Sequence, residues 1–182
     1  ILSFAELNAE EKKEFPKVLS DVKEILKWTY GHKRFLVWEN GTGNGGRGKA
    51  KDSVVHAHLH IAPTQNIDAD CIERYLGTEL TPIKYEDLPR YGDHSYLLVE
   101  SENGIWKIND NPNLYIPRQY VRQLLAQEYG YTDDHSWNWR VSPFYEKMRE
   151  TSNDIKKILM HLKEHNILHD RMLENTRDFL EK

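Results

Sequence analysis

Three histidines stand within five residues, at His56, His58 and His60 of a 182-residue chain. The run Ser53-Val54-Val55-His56-Ala57-His58-Leu59-His60-Ile61 alternates. As a strand it puts the three imidazoles on one face and Val55, Ala57, Leu59 and Ile61 on the other. Three readings compete for that face. Same-face neighbours on a strand lie ~6.8 Å apart, which leaves His56 and His60 separated by ~13 Å. One zinc, with nitrogen ligands at ~2.0–2.1 Å, cannot take all three, but two of them with a distant third ligand such as His94 or Glu100 would suffice. A second reading is a polar strand face that tolerates histidine without using it. The third is nucleophilic catalysis at phosphorus. A neutral imidazole is a good nucleophile near pH 7, its second nitrogen can be held by an acceptor that fixes the tautomer, and neighbouring imidazoles can donate to phosphoryl oxygens.

The residues before this strand suit a phosphate. Asn40 to Lys51 holds five of the chain's ten glycines together with Arg47, Lys49 and Lys51, and no acid precedes Asp52. Its amides can approach an anion closely, and Ser53 adds a hydroxyl donor. There is no GxxxxGK[ST] pattern that would make it a P-loop. Further along, Arg118 and Arg122 lie four apart on one face of an expected helix, and Arg140 follows. Their guanidinium groups match phosphate geometry, with ordinary surface ion pairing as the alternative. Trp137 and Trp139 are candidates for stacking on a base or for anchoring a core or an interface.

The elements that must position these groups are legible in outline. Phe15, Val18, Leu19, Val22, Ile25 and Leu26 recur at helical spacing. Asn8 and Glu11 have capping-box spacing, Leu7 offers a staple, and Gly31 is a natural stop. Pro16 predicts a kink or break, with the longer helical piece opening at it. Arg34 to Glu39 reads as a strand and Ala62-Pro63 as the end of the histidine strand. Asn66 to Leu76 reads as a short helix capped by Asp68. Tyr96–Glu100 and Ile105–Ile108 flank an Asn-Gly hairpin turn. Pro117 is placed to open a helix ending near Tyr129 and Gly130, and two more helices are expected around Asp154 to His165 and Ile167 to Leu180.

Composition narrows the classes. An aromatic content of 11% supports a folded core, and the 25 Lys and Arg against 29 Asp and Glu give a net charge of -4, which argues against coating long nucleic acids. The single cysteine, Cys71, excludes an internal disulfide framework, and no apolar run reaches the ~20 residues of a membrane span. The expectation is a cytoplasmic protein with no membrane association. Nothing resembles a signal peptide, and the chain opens on Ile1 rather than Met, which leaves room for an upstream segment.

His56-Ala57-His58-Leu59-His60-Ile61-Ala62 resembles the His-φ-His-φ-His-φ-φ motif of the histidine triad (HIT) superfamily, with Ser53 five residues before the middle histidine. A helix, a strand ending in Glu39-Asn40-Gly41, a glycine-bearing loop and the histidine strand follow in that family's order. Pro117 to Arg122 and Trp137 to Arg140 resemble a bacterial HIT-like branch with a long C-terminal extension.

The resemblance implies an α+β fold, with an antiparallel sheet packed with helices and an α-rich extension. The expected organisation is a HIT-like core over 1–65 and an extension over 66–182 with a β-hairpin and helices, packed as one unit. It implies a nucleotide hydrolase or nucleotidyl transferase, with His58 attacking an α-phosphorus, His56 and His60 polarising phosphoryl oxygens, and Ser53 binding phosphate or assisting the leaving group. Glu39, Asn40, Gly41, Lys49, Lys51, Arg118, Arg122 and Arg140 are the substrate-binding candidates. No metal or other cofactor is required, the partner is a small nucleotide or phosphate ester, and a homodimer is expected. The alternatives are a non-catalytic nucleotide-binding module and a zinc-binding structural protein. Two positions depart from the family's pattern, Asp52 where several branches carry Gln and Glu39 where others carry Asn or Gln. The family's helix is also preceded by sheet strands. Here they are either missing or replaced by sequence further along, and their loss would leave an exposed sheet edge.

Overall fold

The structure, a computed structural model, describes residues 3–31, 34–41, 56–93, 95–101, 103–111, 116, 119–133, 138, 141 and 145–166. The first long helix, α1 (Ala9–Tyr30), begins where the side chain of Asn8 accepts from the amides of Glu10 and Glu11 and that of Glu11 accepts from the Asn8 amide, 2.7 Å away. It ends on Gly31, whose φ of +68° is a left-handed conformation that glycine adopts without strain. The expected break at Pro16 does not occur, and the helix runs through it. Proline in a helix interior costs about 3 kcal/mol. Here its ring is exposed, while Phe15 before it and Leu19 after it are buried in one cluster, and two such side chains together contribute about that much.

Five antiparallel strands form one sheet in the order β2-β1-β4-β5-β3, where β1 is Phe35–Gly41, β2 His60–Pro63, β3 Thr81–Ile83, β4 Tyr96–Glu100 and β5 Trp106–Asn109. The fold is therefore α+β. Sequence after the histidines supplies three of the five strands, so β1 is paired on both sides, with β2 on one and β4 on the other, and the sheet runs across residue 65. The β4–β5 hairpin closes with the Ser101 amide donating to the Ile105 carbonyl at 2.8 Å and Gly104 at φ +71°. Its second strand begins at Trp106, one residue later than expected.

The strand period sorts residues onto two faces. Leu36, Trp38, Leu97 and Val99 pack with α2 (Ala69–Leu76) and its flanks, through Ile67, Ala69, Ile72 and Leu80, and with Val121, Leu124 and Leu125 of α3 (Tyr120–Glu128). Val37, Tyr96, Leu98, Trp106 and Ile108 pack on the other side with Ala5, Phe15, Leu19 and Leu88. Phe15 and Leu19 come from α1, and Ala5 and Leu88 come from 3₁₀ segments at Phe4–Glu6 and Tyr85–Tyr91. The second half of α1 buries Ile25 against Leu159 and Leu162 of α4 (Tyr145–Glu164).

Other boundaries moved for local reasons. The α2 cap is as expected, with Asp68 accepting from the Cys71 amide at 2.7 Å. The third helix starts at Tyr120 because Gln119 has φ +56°, a left-handed conformation that a helix cannot pass through. The fourth starts nine residues before Asp154, at Tyr145. The helix expected over Ile167 to Leu180 lies outside the described residues. Among the described residues no helix is long and apolar enough to cross a membrane.

Candidate functional site

The histidine strand is shorter than its alternation predicts. Ladder pairing begins at His60 and extends through Ala62 and Pro63, which pair with Leu36 and Phe35 instead of ending the strand. At an edge, proline's missing donor costs no ladder bond on its outer side. His56 to Leu59 run into the sheet without pairing, and Leu59 and Ile61 pack on the α1 side, leaving the histidines for the α3 side.

The three rings are nevertheless together. His60 stands directly opposite Trp38, so their side chains share a face, and the rings stack with centroids 4.6 Å apart and planes 12° from parallel. The His58 ring stands nearly perpendicular to His60 at 4.7 Å, and His56 is edge-on to His58 at 5.8 Å. Trp38 is buried within the sheet, His58 and His60 are half-buried, and His56 is exposed. The row therefore runs from the core to the surface.

Two features define its chemistry. The Nδ1 of His58 lies 2.8 Å from the carbonyl oxygen of His56. A carbonyl only accepts, so the proton of a neutral His58 sits on Nδ1 and the lone pair on Nε2. The imidazole of His60 is pulled down to about 4, first by burial, then by His58 and by the guanidinium of Arg122. At neutral pH it is uncharged, with one N–H to donate.

The other sequence candidates separate. Arg122, on α3, is half-buried and close enough to act electrostatically on His60. Asn40 has the strand parity of Trp38 and is exposed at the end of β1, on the histidine face. Glu39 has the opposite parity, and its placement corrects the expectation of a substrate contact. It is 1% exposed, accepting from the Phe4 amide at 2.8 Å and from the Tyr96 hydroxyl at 2.6 Å on the α1 side of the sheet. Gly41 is likewise structural in its packing. It pairs with Tyr96, and a Cβ at Gly41 would overlap the carbons at the hydroxyl end of the Tyr96 ring. Ser53, Lys49, Lys51, Arg118 and Arg140, with Asp52, Trp137, Trp139 and His94, lie outside the described residues.

Two residues of this region carried no motif. Trp38 is the platform for His60, and its signal was available, because a tryptophan at alternate spacing from Leu36 on a strand beside the histidines has to face the same side. Glu128, at the end of α3, accepts from the amides of Gln65, Asn66 and Ile67 and from the hydroxyl of Thr64, and so clamps the segment leaving β2 to the helix that carries Arg122. Nothing local in the sequence marks it.

Among the described residues no group of three or more His, Cys, Asp or Glu is arranged to hold a metal ion. A depression beside α2 is lined by Asp68, Asp70, Glu73 and Arg74, with no histidine among the described residues that line it. No family model, curated protein or solved structure matches this chain.

Proposed function

We propose that this protein is a nucleotide hydrolase or nucleotidyl transferase of the histidine triad type, acting at an α-phosphate through a covalent nucleotidyl-histidine on His58. The observation that carries the reading is the contact between Nδ1 of His58 and the carbonyl of His56, which leaves Nε2 as an unprotonated nucleophile. Nε2 forms the N–P bond with its lone pair, the bond from phosphorus to the leaving group breaks, and the leaving group departs with that pair. Water or another acceptor then attacks phosphorus, the N–P pair returns to Nε2, and the acceptor's proton passes to solvent.

The neighbours supply orientation and donors. Trp38 fixes the plane of the His60 ring, whose uncharged imidazole donates one N–H to a phosphoryl oxygen. His56 works from the exposed side. The neutral His60 follows charge as it develops on the phosphoryl oxygens without having to be desolvated as an ion. Ser53, Lys49 and Lys51 remain part of the proposal from the sequence, as do a cytoplasmic location and a homodimer, the last testable by sedimentation.

The test uses adenosine phosphoramidate and a diadenosine polyphosphate with no added metal. Mononucleotide product is expected, and His58→Ala should lower its rate at least about a thousandfold, the scale of losing a nucleophile. Mass spectrometry of the quenched enzyme should find a phosphorus adduct on His58. Turnover untouched by the substitution rejects the mechanism.

A further inference from the structure

Two partly buried lysines of this fold meet carboxylates. Lys107 is held by Asp70 at 2.8 Å and Glu73 at 3.2 Å, and Lys23 is bonded to Glu100. Arg122 differs. It is half-buried, burial alone lowers its pKa, and among the described residues no acid or hydrogen-bond acceptor is bonded to it. His60, the titratable group it acts on, is uncharged and offers no counter-charge. A guanidinium taken partly out of water without a counter-ion is costly, and an anionic ligand removes that cost.

Its position is set from several sides. Val121, beside it, is buried in the cluster that contains Trp38, the ring on which His60 stacks. Glu128 clamps the far end of the same helix to the segment leaving β2. At the near end Gln119 takes a left-handed backbone conformation that is rare outside glycine and asparagine, and its Oε1 is buried without a hydrogen-bond partner. The helix is thus held at its far end by Glu128 and packed on the core through Val121, so Arg122 is carried by a fixed element.

We infer that Arg122 is the anion anchor of this site, holding a phosphate of the ligand on the α3 side of His60 so that charge determines affinity there. The assignment rests on the reading of the histidine cluster as a phosphoryl-transfer site. It adds a binding residue outside the triad, contributed by the extension. A guanidinium presents two parallel N–H groups to two phosphate oxygens, a geometry that lysine cannot reproduce.

Inorganic pyrophosphate is the probe, because it carries the charge without a base or sugar. Binding is followed by calorimetry and by the His60 imidazole resonance, in wild type, Arg122→Gln and Arg122→Lys, with equal urea midpoints as the check on folding. Arg122→Gln should weaken binding about tenfold to a hundredfold, the range for a charge-assisted bidentate contact, with Arg122→Lys between the two. Pyrophosphate should move the His60 resonance in wild type, and the unliganded His60 of Arg122→Gln should titrate at a higher pH because the cation is gone. Equal affinity in wild type and Arg122→Gln, or binding that leaves His60 unmoved, overturns the assignment. Turnover of His58→Ala separates the two claims. If it persists while Arg122→Gln still loses pyrophosphate, the nucleophile is rejected and the anchor stands. If it vanishes while Arg122→Gln binds normally, the nucleophile stands and the anchor is rejected.

Discussion

His60 and Glu39 sit on opposite faces of one sheet, each against a different helix, and burial moves them in opposite directions. The imidazole is pulled down to about 4 and the carboxyl pushed up to about 7, in both cases first by desolvation. Between about pH 4 and pH 7 each face thereby holds a neutral group where an ion would be expensive. The surroundings differ. On the Glu39 face both carboxyl oxygens accept a hydrogen bond, the nearby charge is acidic Glu6, and Tyr96 closes over Gly41. On the His60 face the ring row climbs to an exposed histidine, and a half-buried guanidinium stands without a carboxylate among the described residues. On the Glu39 face the carboxyl is fully bonded inside the protein, and the capacity left over is that of two neutral hydroxyls, Ser3 and Tyr85, whereas on the other face it is that of a charged guanidinium. Perturbed titration alone does not distinguish a functional face from a structural one, and neither does an unbonded hydroxyl, but a half-buried cation without a counter-charge does.

The largest break in this comparison should come from Gly41→Ala. Tyr96 is buried to 4% exposure and its hydroxyl is held by Glu39, so the ring cannot withdraw from an added methyl. Overpacking of this kind costs about 3 kcal/mol or more when the neighbour is fixed. A urea midpoint lowered accordingly is the expected result, and an unchanged midpoint would mean that the Tyr96 face is not sealed.

Glu39→Gln tests the opposed titrations. Between pH 4.5 and about 7 the native Glu39 holds a proton that the unfolded chain has lost, so its share of stability falls as pH rises through that window. His60 acts the other way. Between pH 6.5 and about 4 the unfolded histidine takes up a proton that the native one refuses, so its share is present above 6.5 and lost on acidification. Each shift corresponds to at most about 3 kcal/mol, and over the shared range they offset. The wild type should therefore show a nearly flat stability from pH 6.5 to 4.5. Glu39→Gln should be more stable than wild type at pH 8 by about 2 kcal/mol, the Glu39 shift reduced for relaxation of the site. It should also decline on acidification from pH 6.5 to 4, as urea midpoints across that range would report.

What the sequence disclosed and what it withheld divide along the range of the interactions. The Asn8 and Glu11 cap, the Asp68 cap, the Gly31 stop and the Asn103-Gly104 turn are contacts within a few residues, and each is present as read. The three histidines declared themselves by spacing. Glu39 was misplaced because the side it faces depends on the pairing of Trp38 with His60, although its parity against Trp38 was already a warning. Pro16 was read by its local cost, which tertiary burial of Phe15 and Leu19 overrides. The three strands that complete the sheet lie beyond the motif, and β3, three residues with a proline at its centre, has no strand signal apart from its pairing with β5. The function of Glu128 exists only where α3 meets the turn after β2.

That last contact gives the smallest and most specific prediction. Glu128 serves the histidine face as Glu39 serves the other, as a carboxylate joining two elements, but it lies at the rim, where water can partly replace it. It gathers the amides of Gln65, Asn66 and Ile67, and beside it the Tyr129 hydroxyl donates to the Pro63 carbonyl at 2.9 Å. Glu128→Gln keeps an acceptor oxygen and loses the charge, so the cost should be only about 1 kcal/mol, the difference between a charge-assisted and an ordinary hydrogen bond. The consequence should be local. Amide exchange at residues 65–67 should quicken while the β4 amides, on the central strand, keep their protection. Pyrophosphate affinity should fall by a few-fold, because the helix carrying Arg122 is less firmly held to the strand carrying His60. If exchange instead rises equally at β4, Glu128 supports the whole fold and not the histidine face, and the contrast between the two carboxylates would have to be given up.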